Sequence, residues 1–127
     1  MQAAFLVFLG GGLGSVGRWL VGLGAVRLVG TGFPFGTLAV NVLGCFIMGV
    51  LARMLPLPAD GGQGARFLLM TGFLGGFTTF SAFALDAAGL WMGEAPARAI
   101  GYVFVSVLLS LVAVVAGLWV GGALSAR

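Results

Sequence analysis

The sequence predicts an all-α membrane protein of one domain (residues 1–127), with four transmembrane helices, the third broken near its centre. Three observations carry this. Of 127 residues 61% are hydrophobic, and only six arginines and three acids are charged, far below the roughly 25% of a soluble domain. Four long apolar runs are separated by short links that hold most of those charges. The third run contains TGFLGGFTTFSAFALD (residues 71–86), poor material for a continuous helix. Glycine costs roughly 1 kcal/mol against alanine, and threonine is stiff at χ1.

The first run, about 3–26, follows Met-Gln-Ala-Ala, which lacks the basic n-region of a signal peptide, and reads as a retained span. Gly10 and Gly14 form a small-xxx-small pair that lets a second backbone approach. Arg18 interrupts the run. An arginine inside a span costs roughly 2.5–3.5 kcal/mol. Snorkelling to the span end near Val26 means a reach of about eight residues, or ~12 Å. Arg18 is therefore expected to be buried or to face a vestibule.

Arg27 and Gly30-Thr31-Gly32 close the first span, and Pro34 suits the first turn of the second, about 35–55. Along it Thr37 and Asn41 share a face. An unpaired amide at this depth costs several kcal/mol, so Asn41 needs partners. Two readings stand: an interhelical hydrogen bond, or a donor aimed into a pore. Cys45 beside Gly44 reads as a small packing residue, and a lone cysteine forms no intrachain disulfide.

Arg53 ends the second span, and PLPADGGQGAR (residues 56–66) is the one clearly polar connection. The third span, about 67–92, contains the break. At membrane depth unpaired backbone is tolerated only where protein buries it or a cavity wets it, so a break points to an ion or substrate site. Beyond it Phe80 and Phe83 stand three apart on one helical face, either as plain packing or as rings turned to a ligand. Glu94, Pro96 and Arg98 link to the fourth span, about 100–124. There Tyr102, Ser106 and Ser110 recur every four residues. Serines in such helices often bond their own backbone; three hydroxyls in register also fit the lining of a polar path. Gly117 and Gly121 offer a second close-packing pair.

Four spans put both termini on one side, with Arg53, Arg66 and Arg127 there and Arg27 and Arg98 opposite. Three against two is almost no positive-inside bias. A chain without a preferred orientation inserts both ways, and two opposite copies then form an antiparallel dual-topology homodimer.

Several function classes are excluded. There is no histidine, the cysteine has no base, and Ser81 has no His or Lys partner, so general acid–base and nucleophilic catalysis lack their parts. An enzyme is not expected. Proton-coupled transport uses titratable groups within the membrane, and the only acid within a span's reach is Asp86. A small multidrug-resistance pump would carry a carboxylate in its first span, and none is there. No basic patch interleaved with aromatics marks nucleic-acid binding. What remains is a set of neutral donors (Thr37, Asn41, Tyr102, Ser106, Ser110) and phenylalanine rings with positive edges. Such a set suits a small, hard anion that sheds its water and still leaves, as conduction requires.

These residues also resemble a known family, the bacterial fluoride channels called Fluc or CrcB. Gly10-Gly11 through Gly14 to Arg18 is similar to the family's first-span signature, GTLAVNVLGCFIMG (residues 36–49) to its second, and GFLGGFTTFSAF (residues 72–83) to its third. Ser15, Cys45 and Asp86 depart from the alanine, serine and glutamate common at those positions. The resemblance implies an antiparallel homodimer in the bacterial inner membrane with two separate fluoride pores. It implies ring-edge contacts from Phe80 and Phe83, and a polar track including Asn41, Tyr102 and Ser110. Arg18 would lie near a pore entrance. A structural, untransported Na+ would be held on the dimer axis by the backbone carbonyls of Gly75 and Thr78. The implied role is passive export of fluoride. The competing class is a non-conducting membrane subunit whose polar stripes serve helix assembly.

Overall fold

The computed structural model describes residues 1–55 and 63–126. Residues 56–62 of the polar connection, and Arg127, lie outside the described residues. The chain forms α1 (Gln2–Val29), α2 (Phe35–Met54), α3 (residues 63–77), α4 (Phe80–Met92) and α5 (Pro96–Ser125). Among the described residues four helical units are long and apolar enough to cross a membrane: α1, α2, α3 with α4, and α5.

Helices α1 and α5 overrun the apolar stretches that announce them. Helix α1 continues through Arg27 to Val29 and stops at Gly30, whose φ of 79° places it in a region glycine enters without steric cost. Helix α5 starts at Pro96 and not near residue 100, because a proline at the first helical position gives up no hydrogen bond. Its 30 residues reach ~45 Å, more than the hydrocarbon core alone.

The break in the third span falls two residues beyond the glycine pair. Gly75–Phe77 is still helical, while Thr78 (φ −81°, ψ 159°) and Thr79 (φ −155°, ψ 117°) are extended. Before it, Arg66–Leu74 is wound as a π-helix, and the Gly75 amide donates to the Met70 carbonyl. No spacing in the sequence announces that wider winding.

Two glycine seams hold the bundle. Between α1 and α3, a Cβ on Gly10 would overlap the Leu68 carbonyl oxygen, one on Gly14 the Phe73 oxygen, and one on Gly76 the Gly11 oxygen. Between α2 and α5, Gly49 lies against the Val114 carbonyl and Gly117 against that of Phe46. The pairs predicted from spacing thus sit at close backbone approaches, with Gly76 and Gly49 as their counterparts. At one end of the bundle Gly64 meets Leu6, Arg66 donates to the Leu55 carbonyl (3.3 Å) and Ser125 Oγ to that of Arg53 (3.2 Å). At the other, Arg98 donates to the Gly32 carbonyl. Tyr102, Leu74 and Val40 are the most deeply buried side chains, while Phe8, Trp19, Phe104 and Trp119 lie on the outside.

Candidate functional site

Helix α2 passes flush against the break, since a Cβ on Gly44 would overlap Thr78 Cγ2. One turn earlier, Asn41 pairs with the extended backbone. The Thr79 amide donates to Asn41 Oδ1 (2.8 Å), and Asn41 Nδ2 donates to the Thr79 carbonyl (3.0 Å). In an unbroken helix that Thr79 amide would serve the Gly75 carbonyl. The interhelical reading of Asn41 is therefore met, by backbone and not by another side chain.

The two threonine hydroxyls of the break are also partnered. Thr79 Oγ1 accepts from the Ala82 amide (3.1 Å) as the N-cap of α4 and lies 3.2 Å from Ser81 Oγ. Thr78 Oγ1 donates to the Leu74 carbonyl (2.9 Å). Arg18 does not make the long reach to the span end. Its Nη1 donates to the Thr78 carbonyl at 3.4 Å, placing the guanidinium, half-buried, beside the break.

Between the break, α2 and α5 lies an inner cavity of about 310 Å³, lined by Asn41, Phe80, Phe83, Ser106 and Ser110 together with Cys45 and Thr79. Five residues singled out from sequence thus come together. Ser106 is 4% exposed, and its Oγ meets no partner at hydrogen-bond geometry among the described residues. Leaving such a group unsatisfied costs about 1–3 kcal/mol. The two rings differ sharply: Phe83 is 8% exposed and Phe80 79%, with centroids 5.5 Å apart and planes inclined at 49°. Cys45, read above as packing, is also a wall of this cavity.

Thr37 does not join Asn41 there. Its hydroxyl donates to Asp86 Oδ2 (2.6 Å), and Tyr102 Oη lies 3.5 Å from the same oxygen. Thr37 and Asp86 line an outer cavity of about 490 Å³ at the α1–α2 turn, where Phe33 and Arg98 also sit. Four residues on a helix rise ~6 Å, enough to put one shared face into two compartments. The Tyr102 ring joins them, 5.4 Å from Phe33 of the outer cavity and 5.3 Å from Phe83 of the inner one. The sequence reading missed Asp86 as the centre of this cluster, although its being the only acid within a span's reach was a usable signal. It missed the capping role of Thr79, although a threonine directly before an apolar helical run was a usable signal. Gly75, exposed in the single chain, lies on the opposite side of the break sequence from Phe80. Among the described residues no three His, Cys, Asp or Glu side chains group to hold a metal, so a cation here would rest on carbonyls.

The family model described as CrcB-like protein, Camphor Resistance (CrcB), matches residues 5–118. A Rhizobium etli (strain CIAT 652) protein named "Fluoride-specific ion channel FluC" is 56% identical over 126 residues, 98% of this chain and 100% of the relative. One of the same name from Paracoccus denitrificans (strain Pd 1222) is 55% identical over 127 residues, covering 99% and 100%. A third, from Agrobacterium fabrum, is 46% identical over 116 residues, covering 91% and 93%.

Proposed function

This chain belongs to the CrcB family, and from that premise we propose that it is a fluoride-selective channel. It is a multi-pass bacterial membrane protein, not an enzyme, and we place it in the inner membrane, exporting fluoride passively from the cytoplasm. The geometric observation behind the proposal is the inner cavity, where Asn41, Ser110 and two phenylalanine rings line one space without a charged side chain. An amide nitrogen carries two protons. One of Asn41's goes to Thr79, and the other remains for an anion. Ser106 and Ser110 offer hydroxyls, and the rings offer edges. A dehydrated anion is held by dipoles that do not trap it. Purified protein in liposomes tests this: fast fluoride efflux without chloride efflux is expected, and its absence overturns the proposal.

The rings act through their edges in this reading. Isoleucine keeps much of the volume and loses the quadrupole. Phe80→Ile and Phe83→Ile each slow fluoride efflux by about tenfold or more while the protein stays folded, since a ring contact of ~1.5 kcal/mol is at stake. Parent-like rates in both variants would make the rings packing alone.

We also propose that the working unit is an antiparallel dual-topology homodimer. Its motive is the near balance of arginines at the two ends, together with Phe80, which lies largely uncovered at the cavity's edge. Two lysines added between Pro56 and Ala65 bias that loop to the cytoplasm and should abolish activity. A partner biased oppositely, with lysines beside Arg98, should restore it. Full activity from the singly biased protein speaks for a parallel assembly.

A structural Na+ belongs to the same proposal. The Gly75 carbonyl has lost its helical amide to Asn41, and the Thr78 carbonyl has a second lone pair beside its contact with Arg18. Two copies would supply four oxygens, a neutral set suited to a monovalent ion. Complete exchange of sodium for a large organic cation should stop efflux and loosen the dimer, both reversibly. Unchanged activity after thorough exchange removes the ion from the account.

A further inference from the structure

Arg53 is the penultimate residue of α2, exposed, at the end of the bundle where α2 and α5 both finish. Its guanidinium lies across Gly122 of α5: a Cβ added there would stand 3.3 Å from Nη2 and 3.4 Å from Nε. The bare glycine leaves a cleft on each side. One, of about 470 Å³, is walled by Arg53, Leu118 and Trp119. The other, of about 420 Å³, is walled by Arg53, Leu55 and Ser125.

The simplest role for an arginine here is to cap the last carbonyls of the helices. That role is filled by Ser125, whose hydroxyl contacts the Arg53 carbonyl at 3.2 Å and the Gly121 carbonyl at 2.8 Å. Arg66, Arg98 and Arg18 each donate to a carbonyl. The Arg53 guanidinium makes no hydrogen bond to a described residue and is exposed, so its fork is open to solvent or to a ligand. The acids among the described residues, Asp86 and Glu94, belong to the opposite end, where the outer cavity and the α4–α5 link lie.

We propose that this edge binds the phosphate of an anionic phospholipid. Guanidinium matches phosphate bidentately, and basic pockets between transmembrane helices are where lipid headgroups are recognised. A lipid, and not free phosphate, fits the surroundings. Trp119 is 78% exposed on the cleft's rim, at the level where indoles meet headgroups. One turn below it Val115 continues the same exposed helical face, as the start of a track for an acyl chain. This inference needs only a membrane protein and stands apart from what the pore conducts.

The test is native mass spectrometry of the full-length detergent-purified protein with phosphatidylglycerol, phosphatidylcholine or inorganic phosphate. The parent should retain phosphatidylglycerol over phosphatidylcholine by about tenfold, the worth of a charge-assisted contact. Arg53→Gln should lose that preference. Gly122→Leu, which fills the clefts and keeps the charge, should lose it too, while Arg27→Gln should keep it. Gly122→Leu carries the test alone should Arg53→Gln not fold. The proposal is overturned by parent-like retention in either of those two variants, by equal retention of the two lipids, or by inorganic phosphate displacing phosphatidylglycerol through Arg53.

Discussion

Asn41→Asp is expected to silence fluoride efflux. The substitution keeps the shape of the side chain and reverses half of its hydrogen bonding. Oδ1 still accepts from the Thr79 amide, but an oxygen now faces the Thr79 carbonyl where Nδ2 donated at 3.0 Å. A carboxylate also stands in the wall of the inner cavity. With an effective dielectric near 20, like charges ~4 Å apart repel by roughly 4 kcal/mol, a factor of about 10³ in rate. Asn41→Leu separates the two effects, because it removes the pair without adding charge. That variant should lose about 1–3 kcal/mol of stability in thermal unfolding and retain more flux than the aspartate. Undiminished efflux from Asn41→Asp would take Asn41 out of the pore.

Gly14→Val should prevent the bundle from forming. The new Cβ would coincide with the Phe73 carbonyl oxygen and lie 2.8 Å from the Phe77 amide nitrogen. Both obstacles are backbone, so no rotamer change relieves them, and α1 must leave α3. The cost is about 3 kcal/mol or more, at the upper end for overpacking. Gly12→Ala, two residues away with nothing within 4 Å of its would-be Cβ, should be tolerated and gain about 1 kcal/mol in helix propensity. Yield of monodisperse protein and unfolding temperature decide the matter. Equal behaviour of the two variants would mean that the α1–α3 seam is not a close approach.

Much of this architecture was legible because a membrane leaves few options. Apolar runs had to be helices, and the glycine pairs at 10/14 and 117/121 marked close approaches through spacing alone. The break was legible too, but its position was not. Gly75 and Gly76 drew attention as weak helix formers, yet Gly76 is needed for its smallness against α1, and both stay helical. The residues that leave the helix are the threonines, because Asn41, distant in sequence, holds one of them extended. The hydroxyl stripe of α5 was visible as a period, whereas its division was not. Tyr102 joins the Asp86 cluster and Ser106 the inner cavity, and this depends on contacts with α2 and α4 that no single helix encodes. The π winding of residues 66–74 left no trace in composition at all.

The two extended residues at Thr78 and Thr79 have an electrostatic consequence. A continuous third helix would carry one macrodipole, with its poles at the membrane surfaces. Cutting it creates two further poles within the membrane, roughly half a negative charge at the end of α3 and half a positive charge at the start of α4. The negative pole falls at the carbonyls of Gly75 and Thr78, beside the Arg18 guanidinium. The positive pole falls at the first residues of α4, of which Phe80 is on the edge of the inner cavity. Two residues of extended chain thus set a place that favours a cation next to one that favours an anion, with no ionised side chain spent on either pole except Arg18.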